Sequence, residues 1–377
     1  MQLFRLISNI LTMNYKDLSN PGVFDQPTYV PGKSIEDVAK EFNLDINAID
    51  KLASNENTSG PSPLAKAAIT ESLDSMHLYP DGSCYALNQA IAAKFGLSID
   101  NILVGNGSNE LIELLGHVFL RPGLNAVVGS YSFIVYKLVA RLFGAEVKEV
   151  PMKAMAHDLN AMFEAINQDT RMVFVASPNN PTGMANSEEE LTEFIQKLPD
   201  YVILCFDEAY AEYLDAAPNL IPWIEKGKKI LCLRTFSKIY GLGGLRVGYG
   251  YGNRELIGLL NRVRQPFNVN SLGQIGALAA LKDVEYVDAC KEMNARGRKQ
   301  LVNALTALGF KTYGGSANFV LCQVEDGHYV FEELQKKGVI IRPLNNYNLP
   351  DFVRITIGNE SENERVINLM RLIKVRD

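Results

Sequence analysis

Met172-Val-Phe-Val-Ala-Ser-Pro-Asn-Asn-Pro-Thr-Gly183 carries a short apolar run with two β-branched valines straight into a turn of Ser, Pro and Asn. The same grammar recurs on both sides of it. Residues 201–206 form an apolar run that ends at Asp207, and residues 229–233 form another that leads toward Lys238. Upstream, 102–104 enters Gly105-Asn-Gly107 ahead of a helical period over 110–120, and 126–128 precedes a helical stretch over 133–143. Strands this apolar have no face left for water, so each needs cover on both sides. Repeated strand, turn and helix therefore call for an α/β fold with a mostly parallel sheet flanked by helices. Ligands of such sheets gather at the carboxyl ends of the strands, which is where the unusual residues of this chain fall.

From about residue 274 the pattern becomes helical, through 277–281 and 284–308. Strand-like pieces follow at 318–322, 339–341 and 352–357, and a helical period closes the chain over 362–373. This reads as a smaller α+β domain over 274–377, a large domain over 52–273 and an N-terminal arm over 1–51. No internal repeat is visible.

The bulk numbers narrow the function. A chain of 377 residues, 47% hydrophobic and 21% charged, can bury a large core. A net charge of −6 speaks against a nucleic-acid or acidic-membrane partner, which would need a concentrated basic face. Small anions remain open, because a few local arginines suffice. Five cysteines, with no CxxC pair, read as buried thiols of a reducing, cytoplasmic compartment. Four scattered histidines support neither a metal site nor a Ser-His-Asp triad. Residues 1–13 lack the uninterrupted apolar core of a signal peptide and read as an arm, or as residues ahead of a second start at Met13. No apolar run reaches the roughly 18 residues that a membrane span needs.

Three stretches carry chemistry. Gly105-Asn-Gly-Ser-Asn-Glu110 joins a strand to a helix, so the unpaired N–H groups of the first turn would face an anion. Glu110 stands where a dinucleotide fingerprint needs a third glycine, which argues against that class of cofactor. Asp207-Glu-Ala-Tyr210 ends a buried strand with a carboxylate that needs a partner, such as a protonated ring nitrogen, while Tyr210 lies close enough to reach a ring hydroxyl. A helix cap accounts equally well for an isolated aspartate. Arg234-Thr-Phe-Ser-Lys-Ile-Tyr-Gly-Leu-Gly-Gly-Leu-Arg246 places Lys238 between an apolar strand and a glycine-rich turn, where an amine can lose its charge and form a Schiff base. Thr235, Ser237 and Arg246 add hydroxyls and a fixed positive charge, suited to a phosphate beside an aldehyde carbon.

With these stretches in order, the chain resembles the fold-type I aminotransferases, and among them the histidinol-phosphate aminotransferases. The resemblance also covers Leu52-Ala-Ser-Asn-Glu-Asn57, Tyr79-Pro-Asp-Gly82, Pro266-Phe-Asn-Val-Asn-Ser271 and Val353-Arg-Ile-Thr-Ile-Gly358, so it runs nearly end to end. It implies pyridoxal 5'-phosphate as cofactor, bound to Lys238, with Asp207 at the pyridine nitrogen and Asn180 and Tyr210 at the ring hydroxyl. It implies a phosphate held by Ser108, Asn109, Thr235, Ser237 and Arg246, with Tyr79 reaching in from a second subunit of a homodimer. Phe133 would lie against the cofactor ring. On the substrate side the resemblance implies Arg354 as the main anion clamp, Arg342 as a second, and contacts from Asn55 and from Tyr29 in the arm.

The implied reaction moves an amino group from histidinol phosphate to 2-oxoglutarate. Thr58 replaces a proline usual after Asn-Glu-Asn, Tyr131-Ser-Phe133 stands where Pro-Thr-Tyr is frequent, and Gly243-Gly244 replaces Ala-Gly. None of these removes a group essential to transamination. An aromatic-amino-acid aminotransferase, a decarboxylase of a phosphorylated amino acid and a phosphate-binding protein without this cofactor are the alternatives.

Overall fold

A computed structural model of the protein describes residues 14–19, 22–24, 26, 28 and 32–374. Thirteen strands fall into three sheets among the described residues. Seven of them, β2 (Ile102–Gly105), β3 (Asn125–Gly129), β4 (Glu146–Val150), β5 (Thr170–Ala176), β6 (Ile203–Asp207), β7 (Ile230–Thr235) and β8 (Gly248–Gly252), form one sheet in the order β2-β8-β7-β6-β5-β3-β4. All run parallel except β8, which is antiparallel to β2 and β7 on either side.

Alternation along each strand builds two cores from one sheet. Val173, Val175, Leu204, Phe206 and Cys232 point to one face, under helices Tyr85–Phe95 and Glu188–Lys197. Met172, Phe174, Ile203, Cys205 and Leu231 point to the other, under Ser108–Phe119, Ile134–Leu142 and Arg254–Asn261. The helix starts follow local chemistry. Ser187 and Glu190 exchange side-chain and backbone bonds in a capping box, and Asp158 and Asn253 accept from the first turns they precede.

Two strands of this sheet were not legible beforehand. β8 reads Gly-Tyr-Gly-Tyr-Gly, a poor strand by propensity, yet Tyr249 and Tyr251 are buried within the larger core. Gly248 cannot be larger, since a Cβ there would lie 2.4 Å from the Ser108 nitrogen. β4 is an edge strand whose exposed Glu146 and Glu149 disguise it while guarding the edge.

The second sheet is antiparallel, in the order β12-β13-β10-β9, from β9 (Lys311–Tyr313), β10 (Phe319–Gln323), β12 (Arg342–Leu344) and β13 (Leu349–Thr356). Helices Val284–Ala307, Gly327–Gln335 and Glu360–Lys374 flank it, and Leu301, Val320, Val353, Val366 and Met370 share its core. Residues of the arm join this unit. β1 (Asp50–Lys51) pairs in parallel with β11 (Val339–Ile340), and Val38 and Ile49 pack with Ile340. The boundary expected at 273/274 falls inside helix Ser271–Ala280, which packs on helix Pro63–Glu71 of the large unit. No helix among the described residues is long and apolar enough to cross a membrane.

Candidate active site

The carboxyl ends of β5, β6 and β7 open into a cavity of about 190 Å³ whose wall includes Lys238. At one end, Ser108 and Asn109 open helix Ser108–Phe119, whose first-turn N–H groups have no partners within the helix. Gly107 precedes them at φ +80°, and a Cβ there would come within 2.7 Å of Arg246 Nη2, so backbone and guanidinium share one concave wall. Arg246 is itself left-handed, at φ +54°, with Nη1 donating to Gly243 O at 3.2 Å and lying 3.5 Å from Ser237 Oγ. Thr235 Oγ1 accepts the Ser237 N–H at 3.0 Å and shapes the turn from strand to lysine. Glu110 does not oppose an anion here. Its carboxylate turns back to accept from the Asn106 N–H at 2.5 Å and from Asn268 Nδ2 at 2.6 Å, bracing the loop from behind.

Asp207 closes β6 at the other end. Its Oδ2 accepts from the Tyr136 hydroxyl at 2.6 Å and its Oδ1 from the Ala209 N–H at 3.0 Å. Burial pushes this carboxyl up, while Tyr136 and the Ala209 N–H hold it down and Lys238 adds a favourable charge. Neighbouring Glu208 would add repulsion, but Arg234 Nε at 3.1 Å and the Tyr251 hydroxyl at 2.7 Å engage it. Tyr136, Arg234 and Tyr251 went unread in the sequence. For Tyr136 the signal was a hydroxyl one helical turn past Phe133, against whose ring it packs edge-on at 5.6 Å.

Lys238 Nζ lies 3.2 Å from the Ser54 carbonyl oxygen and 5.8 Å from the Tyr210 ring centre. Its ammonium is destabilised to about 8, first by crowding from surrounding protein and then by the positive charges of Arg354 and Arg246. A lysine so placed spends part of its time as a neutral amine near physiological pH. Tyr210, also in the cavity wall, is pushed up to about 12, chiefly by burial, so it stays protonated and can donate.

Arg354 reaches over from β13. Its Nη1 donates to Asn180 Oδ1 and its Nη2 to the Ala53 carbonyl, each at 2.5 Å. Because Asn180 spends its oxygen on Arg354, its amide nitrogen is the donor left to face a ligand. The loop holding Asn180 is braced by Asn179 Nδ2 on the Tyr131 carbonyl and on Thr182 Oγ1, and His157 Nε2 accepts the Ala176 N–H beneath it.

The cavity thus gathers Ser108, Asn109, Phe133, Asn180, Asp207, Tyr210, Thr235, Ser237, Lys238 and Arg246. Asn55 and Arg342, expected at the substrate, do not line this cavity. Asn55 is buried behind Tyr210, with Nδ2 on its hydroxyl at 2.8 Å. Arg342 pairs with Arg354 across β12 and β13, yet its guanidinium lies against Gly32 in a neighbouring cleft with Lys33 and His328. Tyr79 is exposed and stacks on Phe267 at 5.0 Å, away from this cavity. Tyr29 lies outside the described residues.

An anion cradle, a buried carboxylate with room for a cationic partner and a partly neutral lysine suit a phosphorylated pyridine aldehyde. The sequence model described as "Aminotransferase class I and II" matches residues 47–369. The chain belongs to this family. It is a pyridoxal 5'-phosphate-dependent aminotransferase, acting on small amino and oxo substrates. Among its relatives, histidinol-phosphate aminotransferase 2 of Pseudomonas fluorescens is 43% identical, covering 95% of this chain and 98% of that one. The histidinol-phosphate aminotransferase of Moorella thermoacetica is 44% identical, over 92% of this chain and 90% of the relative. The fold matches the crystal structure of histidinol-phosphate aminotransferase from Sinorhizobium meliloti in complex with pyridoxal-5'-phosphate, with a TM-score of 0.85, 23% identity, and 97% and 99% of the two chains covered.

Proposed function

We propose that this aminotransferase moves the amino group of histidinol phosphate to 2-oxoglutarate, giving imidazole-acetol phosphate and glutamate in histidine biosynthesis. The observation that carries the reading is the named relatives' identity of 43–44% over nine-tenths or more of both chains. The arginine placed over the cavity by the small unit fits it, since both substrates bring an anion to that side. In this reading Lys238 carries the cofactor, and Asp207 faces the pyridine nitrogen. Ser108, Asn109, Thr235, Ser237 and Arg246 hold the phosphate. Phe133 lies against the ring, and Asn180 and Tyr210 donate to the ring oxygen.

The cofactor supplies an electron sink for the substrate's α-carbon. The protein's own residues supply the rest. Asp207, fixed by two donors, would favour a protonated ring nitrogen, whose positive charge in turn favours the carboxylate. Lys238 Nζ, as a neutral amine, would take a proton from the substrate's α-carbon as base and give it back as acid. Arg354 grips the substrate anion bidentately and orients the α-carbon toward Lys238. Arg342, from its neighbouring cleft, completes the substrate side. The second substrate uses the same groups in reverse, so the kinetics are ping-pong.

The large unit and the smaller one act as two domains about this cavity, with helix Ser271–Ala280 packed on the large one. The protein works as a homodimer in the cytoplasm. Exposed Met76, Leu78, Tyr79, Tyr85 and Phe267 offer an apolar surface, and Tyr79 from this surface reaches the partner's phosphate. All five cysteines are unbridged and buried, as suits a reducing compartment.

A single-turnover spectrum tests the substrate. Histidinol phosphate and glutamate should convert the coloured holoenzyme rapidly to its pyridoxamine form, with phenylalanine slow. Fast conversion by phenylalanine and none by histidinol phosphate would move the enzyme to aromatic amino acids.

A further inference from the structure

Asn55 lies at the junction of the two units, 1% exposed, in the left-handed region at φ +58° that asparagine tolerates better than most residues. Its hydrogen bonds run in a directed series. The Asn55 N–H donates to Thr356 Oγ1 at 3.0 Å, and that hydroxyl donates to Asn55 Oδ1 at 3.3 Å. Asn55 Nδ2 then donates to the Tyr210 hydroxyl at 2.8 Å, while Asn318 Nδ2 donates to the Asn55 carbonyl at 3.0 Å. Thr356 closes β13 and Asn318 directly precedes β10, so both partners come from the small unit, whereas Tyr210 belongs to the large one.

An amide that gives its N–H to a phenol leaves the phenol's own proton to go elsewhere. Tyr210 lines the cavity on its other side. We propose that Asn55 is a positioning residue for transamination: it aims the Tyr210 proton into the cavity, at the ring oxygen of the bound cofactor. Thr356 and Asn318 tie that aim to the seating of the small unit. The inference rests on the reading that Lys238 carries the cofactor, and it gives Asn55 a role other than the substrate contact expected from the sequence. A donor at the ring oxygen stabilises its anionic form, so the holoenzyme's visible chromophore should release its proton at lower pH with Asn55 than without it.

The test is the pH midpoint of the visible absorbance change in holoenzyme, measured in a double-mutant cycle. Asn55→Asp keeps shape and backbone preference but turns the donor into an acceptor, which takes the tyrosine's proton away from the cavity. The midpoint should rise by about one pH unit, and in a Tyr210→Phe background by less than about half as much. An equal rise in both backgrounds would mean that the new charge acts alone and would overturn the proposal, as would no rise. Should the aspartate variant fail to bind cofactor, Asn55→Gly decides. It keeps the left-handed backbone and removes the donor, and should raise the midpoint by a smaller amount that vanishes beside Tyr210→Phe. An unmoved midpoint in Asn55→Gly overturns the role of Asn55 alone, whereas a parent protein without visible absorbance would overturn the cofactor reading and this inference with it.

Discussion

At the end of the cavity proposed for the phosphate the anion-facing groups come from two short stretches, 107–109 and 235–246, and several of them look toward solvent. At the ring end the groups come from residues 55, 136, 180, 207, 210 and 354, far apart in sequence, buried or nearly so, and bonded to one another. The first end is a cradle of backbone N–H groups and short side chains in which no member is indispensable. The second is a web in a low-dielectric setting, where removing one member leaves another polar group unpaired. Affinity for the cofactor should therefore depend on the first end, and chemistry on the second.

Asp207→Asn should do the greatest damage, since it removes the charge proposed to face the ring nitrogen. We expect kcat to fall by about 10²- to 10³-fold at saturating cofactor, as for loss of a preorganised electrostatic partner. A loss confined to cofactor affinity would erase the distinction between the two ends. Arg354→Ala comes next, removing charge-assisted hydrogen bonds that contribute about 1.5–3 kcal/mol, a fall of roughly 10- to 150-fold in kcat/KM for donor and acceptor alike. Values within twofold of the parent for both substrates would show that Arg354 is not their clamp.

Arg246→Ala should fall on the other side of the comparison. The cofactor's dissociation constant, measured by equilibrium dialysis, should rise about tenfold in this variant, while kcat at saturating cofactor changes little. The smallest effect is a shift in pH. Only the neutral Lys238 amine attacks an aldehyde, and its proton is held down to about 8. Reconstitution of apoenzyme should therefore quicken as pH rises and level off above about 8, well below the roughly 10.4 of an ordinary lysine. Arg354→Ala removes the second-largest cause of that shift, so its midpoint should move upward; a downward move or none would contradict the electrostatic account.

The same contrast governs what could be read in advance. The phosphate end is local, so Gly107, Ser108 and Arg246 announce it by their spacing around a strand-to-helix turn and a strand end. The apolar runs of β5, β6 and β7 likewise announce a doubly covered parallel sheet. The ring end depends on contacts that close only when the chain folds. Tyr136 meets Asp207 across 71 positions, and Asn55 meets Tyr210 across 155 and Thr356 across 301. No spacing rule reaches that far, which is why Asn55 was placed at the substrate and Tyr136 went unread. β8 was hidden for a different reason, because its glycines have low strand propensity, and Gly248 is held small by the start of helix Ser108–Phe119.

Everything rests on Lys238 as the residue that carries the cofactor. Holoenzyme reduced with borohydride, digested and mapped by mass spectrometry tests this directly. One phosphopyridoxyl group per chain is expected, on Lys238, and none in a Lys238→Ala variant. Label on another lysine, or none on a protein that transaminates, would contradict it.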